Sequence, residues 1–226
     1  MAAARHNTVL DQISQTQPPL PTSIVVLLGL AVFAVIMLPT WLLLRHVTTM
    51  AHEGAHALVS WALGGKVQSV TMKSDGSGLT NVAFTRNAGR FLGLFVGYIG
   101  PSAFGLAAAK LISIGHIVAV LWLALLLLAL LLITVRNFFA LSVVVVTGFV
   151  LYLFARYAGV AVQTVLAYVI TWFLLLSGLW HVLRYNGRQG DAPDAAERTH
   201  LPSWLWVGVW QLGAAVALVA GAKLLV

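Results

Sequence analysis

The chain has 226 residues, of which 60% are hydrophobic and only 8% charged. A soluble domain carries about a quarter charged residues, so the composition excludes an ordinary soluble enzyme and indicates a polytopic membrane protein. There is no cysteine, which removes disulfides and thiolate metal ligands. The net charge of +7 reads as Lys and Arg gathered on one membrane face, not as a nucleic-acid footprint.

Residues 1–21 are polar and contain Pro18, Pro19 and Pro21. They read as a flexible cytoplasmic leader, followed by a single membrane-embedded domain over 22–226. The first apolar run, Ile24 to Leu44, is too long for a signal-peptide core and reads as a retained span, bent near Pro39. A second helix is expected from Val47 to Leu63, ended by Gly64-Gly65. Residues 66–85 alternate, turn at Ser74-Asp75-Gly76-Ser77-Gly78 and alternate again, the pattern of a β-hairpin. Further spans are expected at Phe91–Ser113, Ile117–Val135, Phe138–Ala155, Val160–Val182 and Trp204–Val226. The first of these has Gly93 and Gly97 at the spacing that lets helices approach closely, and Gly100-Pro101 is expected to kink or break it. Residues 184–203 form a polar, acidic loop, and Trp204, Trp206 and Trp210 after it suit an interfacial aromatic belt. The expected fold is therefore all-α, with about seven membrane-embedded helices and one short hairpin. If each span crosses fully, most Lys and Arg lie on the side of the N-terminus, which places that terminus, the hairpin and the 184–203 loop in the cytoplasm.

The chemistry centres on His52-Glu53-Gly54-Ala55-His56. Residues four apart share a helix face, so His52 and His56 offer two imidazoles to one metal ion, and Glu53 is placed to act as general base on a water. This is the H-E-x-x-H pattern of zinc hydrolases. Ionisable residues at membrane depth cost about 3 kcal/mol each on insertion scales, so they mark function. Catalytic zinc takes three protein ligands, and here the third must be Asp, Glu or His. Asp191, Asp194 and Glu197 are candidates, with His181 and His200 behind them, and the chemistry alone leaves Asp191 and Asp194 open.

The order of these elements resembles the site-2 protease family of intramembrane zinc metalloproteases, in a small bacterial branch without an accessory soluble domain. The likeness runs from about His46 to Trp210. It rests on the H-E-x-x-H, Gly64-Gly65, the Asp75-Gly76-Ser77-Gly78 turn, Gly97-Tyr98-Ile99-Gly100-Pro101 and Arg136-Asn137. It ends with Asp191-Ala192 followed by Thr199, Pro202, Trp206 and Trp210. The resemblance implies one zinc ion held by His52, His56 and Asp191, Glu53 as catalytic base, a membrane-protein substrate and a bacterial membrane location. Two departures stand out. Asp191 is followed by Ala192 where better-known members have Gly, and no Asn follows Gly100-Pro101, which leaves the oxyanion stabiliser unassigned, with Asn137 or a backbone N–H as candidates. A catalytically silent regulator or metal-binding scaffold of the same fold is the alternative.

Overall fold

The computed structural model describes residues 8–83 and 87–226, leaving out the side chains of 87–91 and 94. The leader is described from Thr8. Thr8 Oγ1 accepts from Asp11 N and the Asp11 carboxylate accepts from Thr8 N, a reciprocal cap that starts α1 (Val9–Ser14). Gln12 Oε1 accepts from Trp122 Nε1, Gln17 N donates to Gly115 O at 2.8 Å, and Gln17 Oε1 accepts from Val118 N. From Thr8 onward, these bonds strap down the segment expected to be flexible.

α2 (Thr22–Met37) and α3 (Trp41–Ala62) are separate helices bent by 108° across Leu38-Pro39-Thr40. Pro39 lacks an N–H and bars its predecessor from helical geometry, and Leu38 is extended with ψ 167°. The two expected crossings are therefore one broken span or a re-entrant pair. α3 ends where expected: Gly64 has φ +74°, a conformation that a side chain resists.

The hairpin forms as β1 (Lys66–Met72) and β2 (Gly78–Ala83), antiparallel from Lys66 opposite Ala83 to Met72 opposite Gly78, with an irregularity between Val67 and Ser69. Residues 84 and 85 of the expected hairpin lie outside the described residues. Val70 and Met72 are buried against Leu131, Val135, Ala140 and Val144. The outer edge of β1 is already paired. Val70 bridges Val135, and Arg136 N donates to Val70 O. The Asn137 amide takes both backbone groups of Met72, with Oδ1 accepting at 3.2 Å and Nδ2 donating at 2.7 Å.

α4 (Asn87–Ser113) continues through Pro101 as one helix, so of the expected kink or break no break occurs. It is the central helix, packed against α3, α7 (Val160–Leu183) and α9 (Ser203–Leu225), and that enclosure overrides the lost hydrogen bond. Its glycines sit where neighbours come close: a Cβ on Gly100 would fall on the Cβ of Ala55.

α5 (Ala119–Thr134) has 16 residues, about 24 Å at helical rise and short of a roughly 30 Å hydrocarbon core. Among the described residues, α4, α7, α9 and α6 (Phe138–Tyr157) are long and apolar enough to cross, or five spans if the α2–α3 pair is counted as one, in place of the expected seven. α6 exposes Val146, Phe149 and Val150, as a lipid-facing helix does.

The 184–203 segment is not a loop: it holds α8 (Asp191–Thr199). Of the expected aromatic belt only Trp204 is exposed. Trp210 is fully buried, donates to Phe95 O at 2.9 Å and stacks on Tyr98; Trp206 Nε1 donates to Thr199 Oγ1. These tryptophans wedge α8 against α4 and α9. Ala192 and Ala195, both buried, let α8 approach that closely. The fixed spacing of Asp191-Ala192, Thr199, Trp206 and Trp210 is thus one packed unit.

The leader packs on residues 115–118, and Thr22 Oγ1 lies 3.4 Å from Val226 O. Gly115 lies about 27 Å along the chain direction from Gly97 at helical rise. The leader therefore packs at the end of α4 that lies far from Gly97.

Candidate metal centre

α3 turns His52, Glu53 and His56 inward, and all three are buried. His56 Nδ1 lies 2.6 Å from Gly93 O. A carbonyl only accepts, so Nδ1 carries the proton and Nε2 of the neutral ring is left as a lone-pair donor to a metal. His52 Nδ1 is buried without a hydrogen-bond partner among the described residues, and its ring meets Tyr98 edge-on at 4.7 Å.

Asp191 arrives from α8. Gly190 before it has φ +78°, a turn few other residues make without strain. Tyr185 brackets the position: its hydroxyl donates to Gln189 O at 2.5 Å and accepts from Ala192 N at 3.2 Å.

The three donor atoms form a triangle. His52 Nε2 and His56 Nε2 are 3.1 Å apart, and each is 3.2 Å from Asp191 Oδ2. Ligands at 2.0–2.1 Å around tetrahedral zinc are separated by about 3.3 Å, so the spacing fits such an ion. Asp191 Oδ2 has no satisfactory hydrogen bond although it is buried, as expected of a ligand atom. Gly97 forms the wall behind it. A Cβ there would fall on His56 Nε2 and lie 2.7 Å from Asp191 Oδ2 and from His52 Cε1. Gly97→Ala is therefore expected to abolish high-affinity metal binding while Gly54→Ala, which meets nothing within 4 Å, leaves it intact; metal content of the purified variants checks this.

Glu53 faces the hairpin. Thr80 Oγ1 on β2 donates to its Oε2 at 2.5 Å, and Gly78 leaves room where a Cβ would strike its Oε1. Spacing along the chain gave no sign of this contact. Thr80→Val is expected to slow turnover about tenfold with metal content unchanged, and Thr80→Ser to restore it, because only the hydroxyl bond is at stake. A rate equal to wild type in the valine variant would show that the bond is incidental.

The candidates sort clearly in space. Asp194 lines the same cavity without joining the triangle. His181 also stands outside it: it stacks on Tyr98 and meets the His52 ring at 5.9 Å. Glu197 and His200 are absent from the cavity lining. Asn137 is bound to the Met72 backbone and is not among the residues that line the cavity. The site opens into a cavity of about 770 Å3 between α3, the hairpin and α8.

Comparison with curated proteins and with solved structures gives no match. A family model described as Peptidase M50B-like matches residues 24–221, from α2 to the last turns of α9. The histidine pair, the late aspartate and the apolar helices that hold them all fall within that match, and the chain belongs to the Peptidase M50B-like family, the site-2 protease family of membrane metalloproteases.

Proposed function

We propose that the protein is an intramembrane zinc endopeptidase that hydrolyses a peptide bond in or near a membrane-spanning segment of a protein substrate. The observation that carries this is the triangle of His52, His56 and Asp191 donors, with Glu53 beside it in one buried cavity. With no cysteine present, two imidazoles and a carboxylate favour zinc. A bound zinc ion would polarise the scissile carbonyl and make a water acidic enough to attack at neutral pH. Glu53 takes the proton of the attacking water and delivers it to the amine nitrogen as the C–N bond breaks. Thr80 aims the Glu53 carboxylate.

A helical amide is hydrogen-bonded and hidden, so the substrate must be locally unwound. The unwound strand pairs with the outer edge of β2. The β1 edge is covered by residues 135–137, while β2 carries Thr80 against Glu53, so a strand added there runs past the site. The hairpin face is the cytoplasmic one. Arg45, Lys73, Arg184 and Arg198 line the metal-site cavity, whereas Lys110, Arg156 and Lys223 stand in the last turns of α4, α6 and α9. On this reading the leader begins on the opposite side.

Chelation tests the reading. Stripping the detergent-purified protein with 1,10-phenanthroline is expected to stop cleavage of fluorescein-labelled casein, and one equivalent of zinc to restore it. Cleavage that survives verified metal removal would overturn the proposal.

A further inference from the structure

We propose that His181 donates the hydrogen bond that stabilises negative charge on the scissile carbonyl oxygen. This rests on the zinc-endopeptidase reading. In the step concerned, the water oxygen bonds to the carbonyl carbon, the water proton passes to Glu53, and the carbonyl electron pair moves onto oxygen. That oxygen needs a fixed donor in a low-dielectric site, and such a donor is worth about 100- to 1,000-fold in rate.

The donors near the metal centre are nearly all committed. Asn137 binds the Met72 backbone, Thr80 binds Glu53, and the Tyr185 hydroxyl donates to Gln189 O. Tyr98 stacks on Tyr185, ring centres 4.3 Å apart. Arg184 lies over the Trp180 ring, 5.3 Å from its centre. Arg198 is about 10 Å beyond Asp191 along α8.

His181 is different. It lines the cavity, and neither ring nitrogen has a hydrogen-bond partner among the described residues. Its ring stacks on Tyr98, centroids 5.4 Å apart and 24° from parallel, while Tyr98 in turn stacks on Tyr185 and Trp210. That column fixes the ring. The 5.9 Å separation from the His52 ring keeps it out of the ligand triangle but within the length of one substrate group of it. An imidazole carries at least one N–H in either neutral tautomer, so it can donate without a change of charge.

The test compares wild type, His181→Phe and His181→Gln, all purified in detergent. Phe keeps the stack on Tyr98 without an N–H; Gln keeps an N–H without the ring. Two readouts are used: cleavage of fluorescein-labelled casein, and binding of acetohydroxamate to the cobalt(II)-loaded protein, followed by its visible spectrum. The expected result is full metal content in all three. His181→Phe cleaves about 100-fold more slowly and binds acetohydroxamate about tenfold more weakly, and His181→Gln recovers part of both. A His181→Phe variant within threefold of wild type in both readouts would overturn the inference, as would a glutamine variant no better than phenylalanine. Loss of metal in His181→Phe would overturn it too, by making His181 a ligand. Failure of wild type itself to hold metal would instead sink the endopeptidase reading.

Discussion

Glu53→Gln is expected to retain a full equivalent of metal and to lose cleavage of a co-expressed membrane substrate by about 1,000-fold or more. Glu53 is not one of the three clustered donors, so the substitution leaves the ligand set alone. The amide is nearly isosteric, and its oxygen still accepts from Thr80. What it loses is the ability to take a proton from water. The variant thus separates a general base from a carboxylate kept for packing. Cleavage at the wild-type rate would remove the mechanism. Wild type that holds metal but matches the variant in cleaving nothing would favour a silent member of the family.

The second large effect concerns the third ligand. Asp191→Asn is expected to weaken metal binding by more than about 100-fold, beyond what outer-shell partners contribute. Asp194→Asn is expected to leave metal content unchanged. Both residues stand on the first turn of α8 and both line the cavity, yet only Asp191 Oδ2 lies 3.2 Å from both imidazoles. An amide in place of Asp191 is neutral and a poorer ligand, and two histidines alone leave the ion undersupplied. Metal analysis of the two variants beside wild type checks this. Equal retention in both would remove Asp191 from the site, and loss on changing Asp194 instead would mean that α8 docks one turn differently.

The features legible along the chain are those that depend on local periodicity. His52 and His56 are one helical turn apart, so their shared face follows from spacing whatever surrounds them. The alternation of 66–72 and 78–83 around a Gly-rich turn announces the hairpin, and the long apolar runs at 138–157, 160–183 and 203–225 announce spans. Family resemblance selects Asp191, but spacing does not, because residues three apart on a helix share a face. The bend at Pro39 is visible as a proline, whereas its size depends on what α2 and α3 pack against. That angle decides whether the two helices make two crossings or one broken span.

Other features come from contacts between distant segments. Pro101 does not break α4, because three helices enclose it. Asn137 reads as a free amide in sequence and proves to be an edge cap for β1. Trp206 and Trp210 suit a lipid interface by type, yet they hold α8 in register with α4 and α9. Thr80 and His181 carry no motif at all. Their placement beside Glu53 and His52 requires the hairpin to fold back on α3 and α7 to end at the same cavity. A helix repeat is an energy minimum of neighbouring residues and is written in them. The meeting of a strand, a short helix and three spans around one cluster of donor atoms depends on close packing and on small residues such as Gly97, which only the assembled chain brings to bear.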